Sequence, residues 1–340
     1  MKKFLFIGID FSKSKFDVTA LEDAEQQNVA QATFENNQNG YADFLKWISQ
    51  QSVIDKKDWL FCGEHTGLYS RGLSEFLIKK KLFIWLENPL QIKSSTGIKR
   101  EKNDLTDSRE IAQYACRFND RAKASYLFQK EIDSLRLLLG YRNRLVKNKV
   151  VLQNAANETR SVLKRDTAAR FIFERSQMEI KRLEKEIKSI ELKMHQTMMN
   201  SDVKENYLLA LSVKGVGLIT TVAFIVHTDN FRAFETVQQL ACYCGVAPFE
   251  KSSGKCLKRP NRISNLANKD LKVLLTECAR CAVMYDKELL EYYNRKLAEG
   301  KNERIIINNV RCKLVHRIFA VVKHKIPYRT DYLNPCGSCA

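Results

Sequence analysis

The chain of 340 residues carries 57 Lys and Arg against 39 Asp and Glu, a formal charge of +18 and a pI near 9.4. That length leaves room for two or three domains, each with its own core, and the charge asks for a polyanionic partner, bound more weakly as salt rises. No apolar stretch approaches the roughly 20 residues that span a bilayer, and the N-terminal apolar run is cut by Asp10 after six residues, so neither a membrane span nor a secretion signal is expected. The expectation is a cytoplasmic protein, without a membrane, that meets nucleic acid.

The first apolar run, Phe4-Leu5-Phe6-Ile7-Gly8-Ile9, closes on Asp10 and predicts a buried strand bounded by a turn. Residues 16–21 predict a second strand, and the polar Ser12-Lys13-Ser14 connection between the two fits a hairpin. Residues 41–49 predict a helix with Phe44, Leu45 and Ile48 on one face. Strands are expected at 59–62 and 83–86, with a helix over 73–80 between them. Antiparallel strands followed by αβ alternation predict a mixed sheet flanked by helices over residues 1–128, the order of a ribonuclease-H-like fold.

Four carboxylates fall where a metal-dependent nuclease core needs them. Asp10 ends the first strand and Glu64 follows the run Trp59-Leu60-Phe61-Cys62. Asp104 and Asp107, three apart, are expected just before an amphipathic helix, where both can face the same way. Acids gathered at such points repel one another unless a cation lies between them. Magnesium-assisted attack on phosphodiesters is the chemistry this set suggests, whereas any one of these acids alone is far more often a turn or cap residue.

From 129 to 200 there is no Pro, a single Gly at 140, and dense mixed charge. Ile180, Leu183, Ile187, Ile190 and Met194 are spaced 3, 4, 3 and 4, an a/d seam, and Leu135, Leu138 and Leu145 continue an apolar face upstream. Long antiparallel helices, a dimerising coiled coil and an amphipathic hairpin all fit. The basic residues of this segment, among them Arg142, Lys149 and Arg160, read as a solvated face or as backbone contacts to nucleic acid.

Residues 201–335 read as mainly helical, including a helix-like stretch over 271–293. Gly215-Val216-Gly217 precedes the apolar residues 218–226, a turn that could expose backbone N–H groups to a phosphate or simply connect two helices. After Gly245-Val246-Ala247-Pro248 the chain turns strongly basic, with Lys251, Lys255, Lys258, Arg259 and Arg262 around Ser252-Ser253-Gly254. A Ser before Gly is ordinarily a turn residue; ringed by cations that hold a phosphate, it can also be a nucleophile. The charge is asymmetric: residues 1–128 hold 19 basic and 17 acidic side chains, residues 129–340 hold 38 and 22.

In this order the segments resemble the DEDD transposases of bacterial insertion sequences, the insertion-sequence 110 family, with the related pilin-gene invertases. The residues that carry the resemblance are Gly8-Ile9-Asp10-Phe11-Ser12-Lys13 with Phe16-Asp17-Val18, Glu64-His65-Thr66-Gly67-Leu68-Tyr69, Lys102-Asn103-Asp104-Leu105-Thr106-Asp107-Ser108-Arg109, and Gly215-Val216-Gly217 followed by Gly245-Val246-Ala247-Pro248 to Ser253-Gly254. The resemblance implies an α/β RuvC-like domain over 1–128, a helical coiled-coil segment over 129–200, and a mainly α C-terminal transposase domain over 201–335. It further implies a recombinase guided by a structured bridge RNA that pairs with donor and target DNA. Asp10, Glu64, Asp104 and Asp107 would hold magnesium, and Ser253 would form a phosphoserine link to DNA. The acids of one subunit would act with the serine of another, in a dimer or tetramer. Lys251, Lys255, Lys258, Arg259, Arg262, Gly215 and Gly217 are the nucleic-acid contacts expected. The departures are Ser252 beside Ser253, Phe249 in place of a common Arg, Ser108 in place of Ala, and the loss of Lys and Gly from the segment Arg262-Ile263-Ser264-Asn265-Leu266-Ala267-Asn268.

Ten cysteines include two C-x-x-C pairs, Cys278/Cys281 and Cys336/Cys339, a spacing that zinc sites use. The first pair lies in a helix-like stretch, where such neighbours are ordinary, so reduced thiols and no zinc are expected. Two other functions stay open on the residues alone. One is a junction-resolving nuclease in which water attacks and Ser253 is structural. The other is a nucleic-acid-binding protein without catalysis.

Overall fold

The computed structural model describes residues 4–23, 30–65, 67–95, 104–125, 129–163, 166–247, 249–253, 257–262 and 267–329. The chain forms two compact units, residues 1–128 and 129–340. Among the described residues no helix is long and apolar enough to cross a membrane.

The first unit is built on a five-stranded sheet. Strands β1 (Leu5–Phe11), β2 (Lys15–Leu21) and β3 (Ala30–Glu35) form an antiparallel meander, and β4 (Trp59–Glu64) and β5 (Ile84–Glu87) add parallel strands on the other side of β1, giving the order β3-β2-β1-β4-β5. Helices α1 (Gln38–Gln51), α2 (Leu68–Lys79), α3 (Pro89–Ser95) and α4 (Asp104–Arg117) complete the unit. Side chains alternate across a strand. Ile7, Ile9 and Phe11 of β1 therefore join Phe16, Phe44, Phe61, Leu73 and Leu77 in a core with α1 and α2. Phe6, Leu60, Cys62 and Trp85 point the other way, into a second core with Ile111, Ala112 and Ala115 of α4. The strand β3 was not expected from sequence. Its alternation of half-buried and exposed positions in Ala-Gln-Ala-Thr-Phe-Glu is that of an edge strand, with too few apolar residues to announce itself. Helix α2 starts at Leu68, five residues before the expected 73, behind Gly67 at φ +70°.

In the second unit α5 (Lys130–Val162) and α6 (Thr167–Met199) form a long hairpin. Arg142 pairs with Glu191, Lys149 with Glu184, and Arg160 stacks on Phe173, so partners advance along α5 as they retreat along α6. The two helices are antiparallel. The seam Ile180, Leu183, Ile187, Ile190 and Met194 is buried. Leu135 and Leu145 are buried with most of it, and Leu138 packs alongside. Helices α7 (Lys204–Leu211), α8 (Leu218–His227), α9 (Val237–Tyr243), α10 (Lys269–Tyr285), α11 (Lys287–Ala298) and α12 (Glu303–His324) share one apolar core with the base of this hairpin. One expectation needs correction. The stretch 271–293 is not continuous helix but breaks at Asp286, which ends α10 and caps α11 by accepting from Leu289 N–H at 3.2 Å. Within this mainly helical unit the basic segment, for which no element was expected, forms an antiparallel hairpin of β6 (Phe249–Ser253) and β7 (Leu257–Arg262).

Candidate active site

The acids of the first unit are set by strand register. β1 pairs with β4 in parallel, Ile9 beside Gly63, so the next residues, Asp10 and Glu64, end neighbouring strands at the same level. Since Phe6 and Cys62 belong to the α4 face, alternation puts Asp10 and Glu64 on that face as well. Two further carboxylates join the row. Asp17 lies opposite Asp10 in the antiparallel pair, and Glu87 lies beside Glu64 in the parallel one. Sequence reading passed over both, although Glu87 ends an apolar run just as Asp10 and Glu64 do.

Helix α4 is laid across this face by a close approach that only glycine permits. A Cβ on Gly8 would come within 2.2 Å of the Ser108 carbonyl and 2.3 Å of the Ala112 nitrogen. Beside it the Ser108 hydroxyl lies 2.8 Å from that of Thr19, both buried. Asp104 and Asp107 therefore stand within the first turn of α4, not before it, and Asp107 immediately precedes the residue that sits over Gly8. Asp107 is half-buried; the side chain of Asp104 lies outside the described part.

The flanking acids are held by the fold. Asp17, 3 % exposed, accepts from the Thr33 hydroxyl and pairs with Lys15 at 3.5 Å. Glu87 accepts from Asn88 N–H at 2.6 Å and from the Tyr114 hydroxyl of α4 at 3.2 Å. Their charge is felt nearby. Burial pushes the Tyr114 phenol up to about 12, with Glu87 adding to the effect. The buried Cys62 thiol is pushed up strongly by burial, then by Glu87 and Glu64. The donors are all carboxylate oxygens, the chemistry a hard divalent cation takes. Among the described residues, however, no three Asp, Glu, His or Cys side chains come close enough to hold a metal.

In the second unit the fold anchors both feet of the serine-bearing hairpin. The Asn308 amide donates to the Val246 carbonyl at 2.9 Å, just before β6. After β7, Asn268 N–H donates to the Tyr243 carbonyl at 2.8 Å, and the Asn268 side chain caps α10 through Leu271 N–H. The same side chain donates to the Tyr243 hydroxyl at 3.1 Å and lies 3.2 Å from His227 Nδ1. Within the hairpin Ser253 pairs with Leu257 and Ser252 with Lys258. The register shifts between Phe249 and Lys251, opposite the Pro260-Asn261 step, where proline has no N–H to give a ladder. Ser253 is thus the last residue of a strand, and Gly254 and Lys255 lie outside the described residues, as do the side chains of Ser252, Ser253, Lys251, Lys258, Arg259 and Arg262.

The two glycines before α8 differ. Gly215 has φ +87°, and a Cβ there would meet Ala282 Cβ at 2.7 Å and the Cys278 carbonyl at 2.8 Å, so packing against α10 already requires it. Gly217 faces open space. Cys278 is buried against the Thr220 hydroxyl at 3.1 Å, and Cys336 and Cys339 lie outside the described residues.

Two family models match the chain. One, described as a transposase of the IS110 DEDD type, covers residues 7–165, and the other, the transposase IS116/IS110/IS902 family, covers residues 207–294. The chain is 25 % identical to the pilin gene-inverting protein of Moraxella lacunata over 334 residues, 95 % of this chain and 97 % of that one. It is equally similar to the protein of the same name from Moraxella bovis, 25 % over 334 residues with the same coverage. A protein of insertion element IS110 from Streptomyces coelicolor is 28 % identical over 112 residues, 33 % of this chain and 27 % of its own length.

Proposed function

Given that the chain belongs to the IS110 family of transposases, we propose that it is a magnesium-assisted serine recombinase that moves its own insertion sequence under the direction of a bridge RNA. Transposition and DNA recombination follow from the family; the serine, the metal, the RNA and the subunit arrangement are our reading. The order β3-β2-β1-β4-β5 with β2 antiparallel to β1 is read as a ribonuclease-H-like or RuvC-like sheet. The observation that carries the proposal is the level row of Asp10 and Glu64 on the sheet face against which α4, with Asp104 and Asp107 in its first turn, packs at Gly8. Asp10, Glu64, Asp104 and Asp107 would hold magnesium, which when bound neutralises and polarises a phosphodiester.

The chain's own groups divide the remaining work. Ser253 Oγ attacks phosphorus, a deoxyribose oxygen leaves, and a phosphoserine ester forms. The serine proton passes to a base, and the departing oxygen takes up a proton. Rejoining runs the same step backwards with a new deoxyribose hydroxyl. Lys251, Lys255, Lys258, Arg259 and Arg262 supply the cations that hold DNA beside the serine, and the backbone at Gly215 and Gly217 a further phosphate contact. As the resemblance to the family implies, the acids of one subunit would act with the serine of another in a dimer or tetramer. The reaction takes place in the cytoplasm, on donor and target DNA selected by the RNA. The Moraxella relatives are named for the inversion of a pilin gene.

The test is a denaturant-resistant protein–DNA adduct, formed from donor DNA, flanking non-coding RNA and magnesium. The wild type should give it, and Ser253→Ala and Asp104→Ala should both lose it while still binding DNA. Cleaved DNA without an adduct, surviving Ser253→Ala but not Asp10→Ala, would make the protein a junction-resolving nuclease.

A further inference from the structure

Among the described residues, Arg311 is a cation without a carboxylate partner. It lies half-buried on α12, where its Nη1 donates to the Thr276 hydroxyl of α10 at 3.2 Å. Its Nε is buried with no hydrogen-bond partner among the described residues. No acid pairs with it there, whereas Arg317, further along the same helix, is paired with Asp286 and Glu288. Burial alone pulls the Arg311 guanidinium below its ordinary range. Holding an uncompensated charge in a partly dry site is unfavourable, and proteins keep such charges chiefly where function uses them.

Its position gives it a use. Asn308, one turn earlier on the same face of α12, carries the hydrogen bond to the Val246 carbonyl that anchors the entry foot of the β6–β7 hairpin, and the Asn308 Oδ1 is also buried without a partner among the described residues. The exit foot, Asn268, begins the helix that supplies Thr276, about two turns further on. Arg311 therefore sits in the seam between α10 and α12, behind the two feet of the hairpin that bears Ser253. A guanidinium is the side chain suited to a phosphate, since its planar fork of N–H groups meets two oxygens at once.

We propose that Arg311 holds a backbone phosphate of DNA at the foot of the serine-bearing hairpin through the part of its guanidinium that solvent reaches, completing its charge balance only when DNA is bound. For its place in the reaction this rests on the reading of the hairpin as the DNA-cutting element; for its chemistry it does not. The phosphate supplies the missing anion, and Thr276 keeps the guanidinium oriented before DNA arrives. Asn308 ties the contact to the strand that leads to Ser253, so Arg311 is a substrate-holding residue and not a part of the bond-breaking machinery.

The experiment uses the full-length protein and a fluorescent DNA duplex of mixed sequence, with binding followed as salt is raised. Arg311→Met should lower the slope of log affinity against log salt by about one, and Arg311→Lys should restore it. Removal of an uncompensated charge should leave the melting temperature of Arg311→Met unchanged or higher, whereas a purely structural arginine would lower it. Arg280→Met, which removes an exposed arginine paired with Glu277 at 3.0 Å, is the control and should leave the slope alone. An unchanged slope in Arg311→Met, an equal loss in Arg280→Met, or a loss seen on a structured RNA hairpin and not on DNA would overturn the assignment. The slope is read from binding alone. Failure of the wild type to form a covalent adduct would therefore reject the serine reading, while the slope still decides the role of Arg311.

Discussion

At the scale of single residues, the second unit places a titratable group where its charge is unwelcome. His227 ends α8 beside Asn268, whose amide points at His227 Nδ1 from 3.2 Å while also reaching the Tyr243 hydroxyl. Burial lowers the His227 pKa below its ordinary 6.5; Asp270 opposes that shift and Arg136 reinforces it. The neutral ring is thus the folded form's preference, and the unfolded chain binds the proton more readily. The sign follows: the contribution of this residue is fully present above about pH 6.5 and is lost as pH falls through the lower folded value. Thermal melting of the second unit should hold steady from pH 8 to about 7 and decline toward pH 5. His227→Asn, which keeps an acceptor for the Asn268 amide but cannot titrate, should flatten that decline. An equally steep fall in the variant would show that other groups govern it.

At the scale of elements, boundaries depend on single polar residues that serve two helices. Asp286 is 1 % exposed, accepts from Leu289 N–H, and takes the Arg317 guanidinium at 2.8 Å across to α12. A carboxylate there both stops α10 and ties the α10–α11 corner to α12. Asp286→Ala should cost about 3 kcal/mol, since it deletes a cap and leaves most of the Arg317 charge to the more exposed Glu288. Asp286→Asn should cost less because the cap survives, and a denaturant titration distinguishes the two. The β6–β7 hairpin follows the same logic through the backbone, since Pro260 removes a ladder donor and the register shifts across from it.

At the scale of the molecule, the two units have separate cores. The first packs α1 and α2 on one face of its sheet and α4 on the other; the second is a helical core that runs from α5 to α12. Calorimetry should therefore resolve two unfolding transitions. Gly8→Ala should abolish or sharply lower one of them, because the new Cβ meets backbone atoms of α4 that cannot yield without undocking the helix. The other transition, belonging to the second unit, should stay where it was. Movement of both together would show that the units fold as one. Loss of α4 docking would also remove Asp104 and Asp107 from the sheet edge, so the same variant should fail in transposition while still binding DNA through the basic second unit.

Sequence alone determined much of this protein, because the signals were local. Apolar runs closed by an acid marked β1 and β4, and a 3-4-3-4 spacing marked the buried seam of α6. The motifs around Asp10, Glu64, Asp104 and Asp107 pointed to the family before any fold was known. What stayed hidden was decided by neighbours distant in the chain. Only strand register sets Asp17 and Glu87 level with Asp10 and Glu64, since pairing across strands has no trace in one strand's own sequence. Only the 2.2 Å approach at Gly8 explains why a helix a hundred residues away carries two of the acids to the sheet. The edge strand β3 buries too little apolar surface of its own to be read by periodicity, the β6–β7 segment is too polar in sequence to show one, and both pair because a partner strand completes their hydrogen bonds. The basic character of Arg311 was visible as one charge among 57; that no acid among the described residues pairs with it is visible only from its place against Thr276 of α10.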